Sequence, residues 1–152
     1  MEVTRQRLTD TAWVRLEQAQ PLNTTAVRLT WQLLDGDAAV DTEETPVDGL
    51  YLWYRPLGSA SSGADDAPGA FSVATIVNPM ASGYTLSQLK PFTRYLLFLV
   101  PFYRNLEGRP SNSKIQATLE AGAPLVFLFV FFHFLSVSHP NGLNELVLAQ
   151  SI

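Results

Sequence analysis

The sequence predicts an all-β sandwich of seven antiparallel strands, followed by an irregular apolar tail. Three observations predict it. Short stretches of period-two alternation recur along the chain, most clearly where Val27, Leu29 and Trp31 take one face and Arg28 and Thr30 the other. Successive side chains of a strand point to opposite sides, so this pattern buries one face and wets its reverse. Ten prolines and nine glycines punctuate the 152 residues, which suits many short segments better than a few long helices. The composition, 47% apolar, 11% aromatic and 16% charged, is that of one globular domain able to bury a core without outside staples.

In chain order, residues 1–12 form a leader with little expected structure, and the domain spans residues 13–120. Trp13, Val14, Arg15, Leu16 and Glu17 alternate briefly, as an edge strand does. Pro21, Leu22 and Asn23 supply a turn before the strand at residues 26–31. Residues 35–48, rich in Asp, Glu, Gly, Thr and Pro, lack periodicity and read as an exposed loop. Residues 50–54 are apolar throughout and β-prone, with Leu50, Leu52 and Tyr54 as the inward set. That alternation turns Trp53 away from the core, beside Tyr51, where an exposed tryptophan would mark a contact surface. Residues 58–69 are a glycine-rich, polar loop with nothing to pack. Strand character returns over 71–77 and 84–89. Residues 95–103 give a core strand with Tyr95, Leu97 and Leu99 on one side; Pro101 marks its end, because proline brings no N–H to a ladder. After a loop carrying Gly108 and Pro110, residues 114–119 make the last strand.

The composition excludes much chemistry. Cysteine is absent, which removes disulfides, thiol catalysis and thiolate metal sites. Both histidines, His133 and His139, lie in the tail, so a Ser-His arrangement would have to recruit its base from outside the domain. A net charge of −4 argues against nucleic acid as a partner, since that affinity comes from Lys and Arg neutralising phosphates. Asp35, Asp37 and Asp41 depart from a calcium loop, which needs ligands at alternate positions and a closing glutamate. The reading is a non-enzymatic protein with no catalytic, cofactor-binding or metal residues, no cofactor and no small-molecule substrate. Trp31, Tyr54, Leu86 and Tyr95 are expected to be core rather than an aromatic ligand pocket.

Three motifs in order and at the right spacing resemble a fibronectin type III domain, an immunoglobulin-like sandwich. Val27 to Trp31 stand where the second strand places its core tryptophan. Leu50, Leu52 and Tyr54 stand on the third strand, and Leu89, Pro91 and Tyr95 form the turn into the sixth. A tyrosine at that turn implies a tyrosine corner, whose hydroxyl returns to upstream backbone. Residues 101–113 with 117–120 are further similar to the region between the last two strands in roundabout-type axon-guidance receptors of the immunoglobulin superfamily. That resemblance implies an interaction or spacer module from the extracellular part of a plasma-membrane adhesion or guidance receptor, with other protein domains as partners. It also brings two charge clusters to one end of the sandwich. Residues 35–66 hold eight acids against the single base Arg55, and residues 90–114 hold five bases against the single acid Glu107. Arg104, Glu107 and Arg109 are the candidate interaction loop.

Two features stand outside this frame. Asn23, Thr24 and Thr25 form an N-x-S/T sequon, making Asn23 a candidate glycosylation site. Residues 121–152 form a tail whose apolar stretch, 125–137, is shorter than the 17–25 residues of a membrane helix. The alternative function is a short membrane-tethered protein held by that stretch. The monotony of Phe, Leu, Val, Ser and Pro also fits a translated intron, which would make the chain a receptor fragment. Residues 1–7 show no apolar stretch of the signal-peptide kind.

Overall fold

Two features of the amino-acid pattern shape the architecture: alternation, which makes strands, and two-residue turns at 24–25 and 104–105, which fold the flanking strands onto each other. The computed structural model describes residues 2–34, 47–61 and 67–122. In β1 (Val14–Asn23), Val14 and Leu16 are buried while Arg15 and Glu17 are exposed. Thr24 and Thr25 then turn the chain into β2 (Ala26–Leu33), where Val27, Leu29 and Trp31 are buried. The chain continues through β3 (Gly49–Ser59), β4 (Ser72–Ile76), β5 (Gly83–Leu86), β6 (Thr93–Tyr103), β7 (Leu106–Glu107) and β8 (Lys114–Ala117). One sheet has the order β1-β2-β5; the other has β4-β3-β6-β7, with β8 also on β6. Every pairing is antiparallel.

The all-β sandwich expected from the sequence is therefore present, its seventh strand in two pieces. β7 and β8 both pair with β6, and the stretch between them still follows that strand. Gly108 N–H donates to Pro101 O at 2.7 Å, and Ser111 N–H to Leu99 O at 2.7 Å. The Ser111 hydroxyl in turn accepts from Leu99 N–H at 2.9 Å. Pro110 interrupts the ladder because it has no N–H to contribute.

Between the sheets Leu16, Val27, Leu29, Leu50, Leu52, Leu97 and Leu99 lose essentially all solvent contact. Burying a side chain of this size is worth about 1.5–3 kcal/mol each. The fold markers distribute around them. Trp31, Leu89 and Tyr95 are buried, and Tyr54 is half-buried against the cluster, its ring tilted toward Tyr95. Pro91 is exposed in the turn before β6.

Several local expectations are corrected. Residues 1–12, expected to have little structure, carry helix α1 (Glu2–Asp10), and Leu8 is wholly buried in the core. Trp13 Nε1–H donates to Arg7 O at 3.1 Å, and Arg109 N–H donates to Leu8 O at 2.9 Å. The tertiary contact of Leu8, not helix periodicity, holds this short segment. Pro21 is a strand residue of β1 opposite Val27. It is tolerated because β1 lies at the edge of its sheet, where an N–H facing outward has no ladder partner to lose. Pro101 lies within β6, opposite Leu50, and is fully buried rather than marking a strand end. β3 runs on through Pro56 to Ser59, with a register shift between Pro56 and Gly58 that lets it bend.

The chain divides into two units, Met1–Ala121 and Gly122–Ile152. The apolar stretch 125–137, with its tether and intron readings, lies outside the described residues, as do Asp35, Asp37, Asp41, Glu43, Glu44, Asp65 and Asp66. Among the described residues no helix is long and apolar enough to cross a membrane.

Candidate interaction surface

The segment carrying Arg104, Glu107 and Arg109 is a tight hairpin rather than a long loop. Tyr103 faces Leu106 across a two-residue turn of Arg104 and Asn105, and Phe102 faces Glu107. Arg104 has φ 55°, in the left-handed region that favours glycine. For a residue with a Cβ this backbone is strained by roughly 1–3 kcal/mol and persists only where the surroundings impose it. They do so from both sides. Asp48 Oδ2 accepts from Arg104 N–H at 2.6 Å, while Asp48 N–H donates to Phe102 O at 2.8 Å. On the other side the Leu8 carbonyl receives Arg109 N–H, and Gly108 sits so close that a Cβ there would lie 2.8 Å from Leu8 O.

The side chains at this tip are free to meet a partner. Arg104, Glu107 and Arg109 are all exposed. The Arg104 guanidinium lies 5.2 Å from the centre of the Tyr103 ring, a cation–π contact that limits its swing. Of the acidic residues between 35 and 66, Asp48 is the one among the described residues, and its carboxylate engages the backbone N–H of Arg104.

The outer face of the larger sheet is aromatic. Trp53 and Phe98, opposite each other on β3 and β6, stack at 6.4 Å with planes 2° apart, and Phe71 meets both edge-on at 6.0 and 5.8 Å. Arg55 covers Phe71 at 4.7 Å, and Tyr51 stacks on Phe102 at 4.4 Å. Trp53 does turn away from the core, but it is half-buried by these neighbours rather than exposed. Exposed apolar groups on or beside this sheet are instead Phe71 at 41%, Val73 at 45% and Ile115 at 61%. Sequence reasoning missed these three because their exposure depends on which strands stand at the sheet's margins.

The remaining candidates lie elsewhere. Asn23 is exposed at the end of β1, at the opposite end of the sandwich from Arg104. A shallow open depression of about 420 Å³ is lined by Pro56, Gly58, Ser59, Lys90, Phe92 and Thr93, among others, and Lys90 is the one titratable side chain among the described residues that line it. Among the described residues it offers no opposed acid and base. Among the described residues no group of His, Asp or Glu converges as metal ligands.

At the corner before β6, Tyr95 Oη accepts from Lys90 N–H at 2.9 Å. That corner, the two antiparallel sheets and the tryptophan on β2 give the chain the fibronectin type III fold. Solved structures of such domains share the fold. The fibronectin type III domain derived from human KIAA0970 protein matches with a TM-score of 0.59 at 18% identity, covering 97% of this chain and 94% of its own. The third such domain of human KIAA0343 protein gives 0.54 at 18% identity, covering 72% of this chain and 82% of its own. The FN5 domain of Drosophila Lar gives 0.53 at 15% identity, covering 73% and 99% respectively. No protein-family model matches the chain. In sequence it is similar to Protein sax-3 of Caenorhabditis elegans, 29% identical over 124 residues, which are 80% of this chain and 9% of sax-3.

Proposed function

We propose that the domain is an interaction and spacer module in the extracellular part of a plasma-membrane adhesion or guidance receptor of the roundabout type. The observation that carries this reading is the similarity to sax-3 across 80% of the chain. The sandwich supplies a rigid body, and the hairpin supplies a tip that presents Arg104 and Arg109 to another protein domain. The strained backbone of Arg104 supports a role for its side chain, because glycine would relieve that strain at once. Two exposed guanidinium groups on a braced turn favour a partner surface that is acidic, and such rim charges act mainly by steering encounter.

The test is a double charge reversal, Arg104→Glu with Arg109→Glu, in the intact receptor. Surface display should stay at the wild-type level while association with the protein partner slows about tenfold, with a weakened salt dependence. Unchanged association would remove the tip from the interaction and leave the domain as a spacer. Failure of the intact protein to reach the cell surface at all would overturn the receptor reading.

A further inference from the structure

We infer that Asn23 is a site of N-linked glycosylation, which would place a glycan beside the point where the chain leaves the sandwich. The sequon needs an asparagine, any residue but proline, and a hydroxyl residue at the third position; Asn23, Thr24 and Thr25 supply them. The geometry adds what the motif alone lacks. Asn23 ends β1 and is exposed, and Thr24 and Thr25 form the two-residue turn to Ala26. Its side-chain Oδ1 accepts from Thr25 N–H at 2.8 Å and from the Thr25 hydroxyl at 3.3 Å. Those bonds use only the amide oxygen, and among the described residues Nδ2 has no acceptor. The hydrogen bonds that fasten this corner to the domain use main-chain atoms. Asn23 O accepts from Leu119 N–H at 3.3 Å, and Thr25 O from Leu89 N–H at 2.9 Å. A sugar on Nδ2 therefore costs the fold none of its bonds.

The donor is a lipid-pyrophosphate-linked oligosaccharide. Nδ2 attacks the anomeric carbon of the first sugar, a C–N bond forms, and the C–O bond to the pyrophosphate breaks. Lipid pyrophosphate departs with the bonding electron pair, and the amide nitrogen loses one proton to base; nothing is oxidised or reduced. The glycan lies at the Leu119 end, roughly 30 Å along the strands from Arg104, so it leaves the hairpin tip uncovered.

The inference rests on the extracellular reading for its natural setting, and the experiment separates the two. The full chain is expressed in mammalian cells behind an added secretion signal, with a second sequon known to be used fused after residue 152 as an internal control. Cell lysate and medium are both examined, in molecules whose control sequon is occupied. The expected result is one additional glycan removable by an amidase, lost in Asn23→Gln and in Thr25→Ala and retained in Thr24→Ala. Molecules occupied at the control but bare at Asn23 would overturn the inference. Because the added signal forces entry, that outcome leaves the receptor reading untouched, whereas absence of the natural protein from the cell surface would sink that reading alone.

Discussion

Tyr95 Oη and the backbone N–H of Lys90 meet at 2.9 Å, tying the start of β6 to the segment that has just crossed from the other sheet. A second bond set locks the same corner. The buried Thr118 hydroxyl donates to Lys90 O at 2.7 Å and accepts from Thr93 N–H at 3.1 Å. Gln88 and Phe92, which flank the corner, have φ values of 61° and 47°, so strained backbone is held here by side-chain bonds. Tyr95→Phe should lower stability by about 1–2 kcal/mol and Thr118→Val by about 1–3 kcal/mol, because each leaves main-chain groups without partners. Urea unfolding of the full chain checks both. Losses below a few tenths of a kcal/mol would show that water replaces these bonds without cost.

Helix α1 is expected to behave as part of the domain. Leu8 contributes to the core and its carbonyl holds Arg109. Leu8→Ala should cost about 2–5 kcal/mol, as for other fully buried leucines. Hydrogen exchange should quicken at the Arg109 amide beyond what global destabilisation explains. A stability change confined to a few tenths of a kcal/mol would return residues 1–12 to the status of a loose leader.

At the hairpin, stability and function should separate. Arg104→Gly relieves the positive φ and should gain about 1 kcal/mol, less the larger chain entropy of glycine in the unfolded state. Asp48→Ala removes the carboxylate that caps the turn and should lose about 1 kcal/mol. Thermal unfolding of the two variants gives the signs. A destabilised Arg104→Gly would mean that the guanidinium contact with Tyr103 outweighs the backbone strain.

The two central tryptophans should respond differently to the same change. Trp31 Nε1–H donates to Pro79 O at 3.0 Å from a buried position, whereas buried Trp53 Nε1 has no hydrogen-bond partner among the described residues. Trp31→Phe leaves a buried carbonyl unpaired and should cost more than Trp53→Phe, which removes an unsatisfied donor. Trp31→Ala should cost about 3–5 kcal/mol. Equal losses in the two Trp→Phe variants, measured by chemical denaturation, would contradict this assignment.

The parts of the fold that the sequence made legible are those written in alternation. Val27, Leu29 and Trp31 on β2, and Tyr95, Leu97 and Leu99 on β6, point inward because period two leaves them no other common face. The spacing from Leu89 to Tyr95 marked the corner for the same local reason. Helix α1 was not legible, since its apolar content is low and its position depends on Leu8 finding a gap beside β7. Pro101 was misread because a local rule about missing donors says nothing of which strand lies opposite.

Amino-acid order alone determined the inward faces of β2 and β6, the absence of thiol chemistry and the sequon at Asn23. Each is a property of neighbours along the chain, and short-range sterics and burial suffice to read it. Tertiary structure decided which aromatics cover Trp53, why Arg104 sits in a left-handed backbone, and that Asn23 and Arg104 occupy opposite ends. Those relations join residues far apart in sequence, such as Asp48 with Arg104 and Leu8 with Arg109. Only strand pairing and sheet packing bring such residues within hydrogen-bonding range.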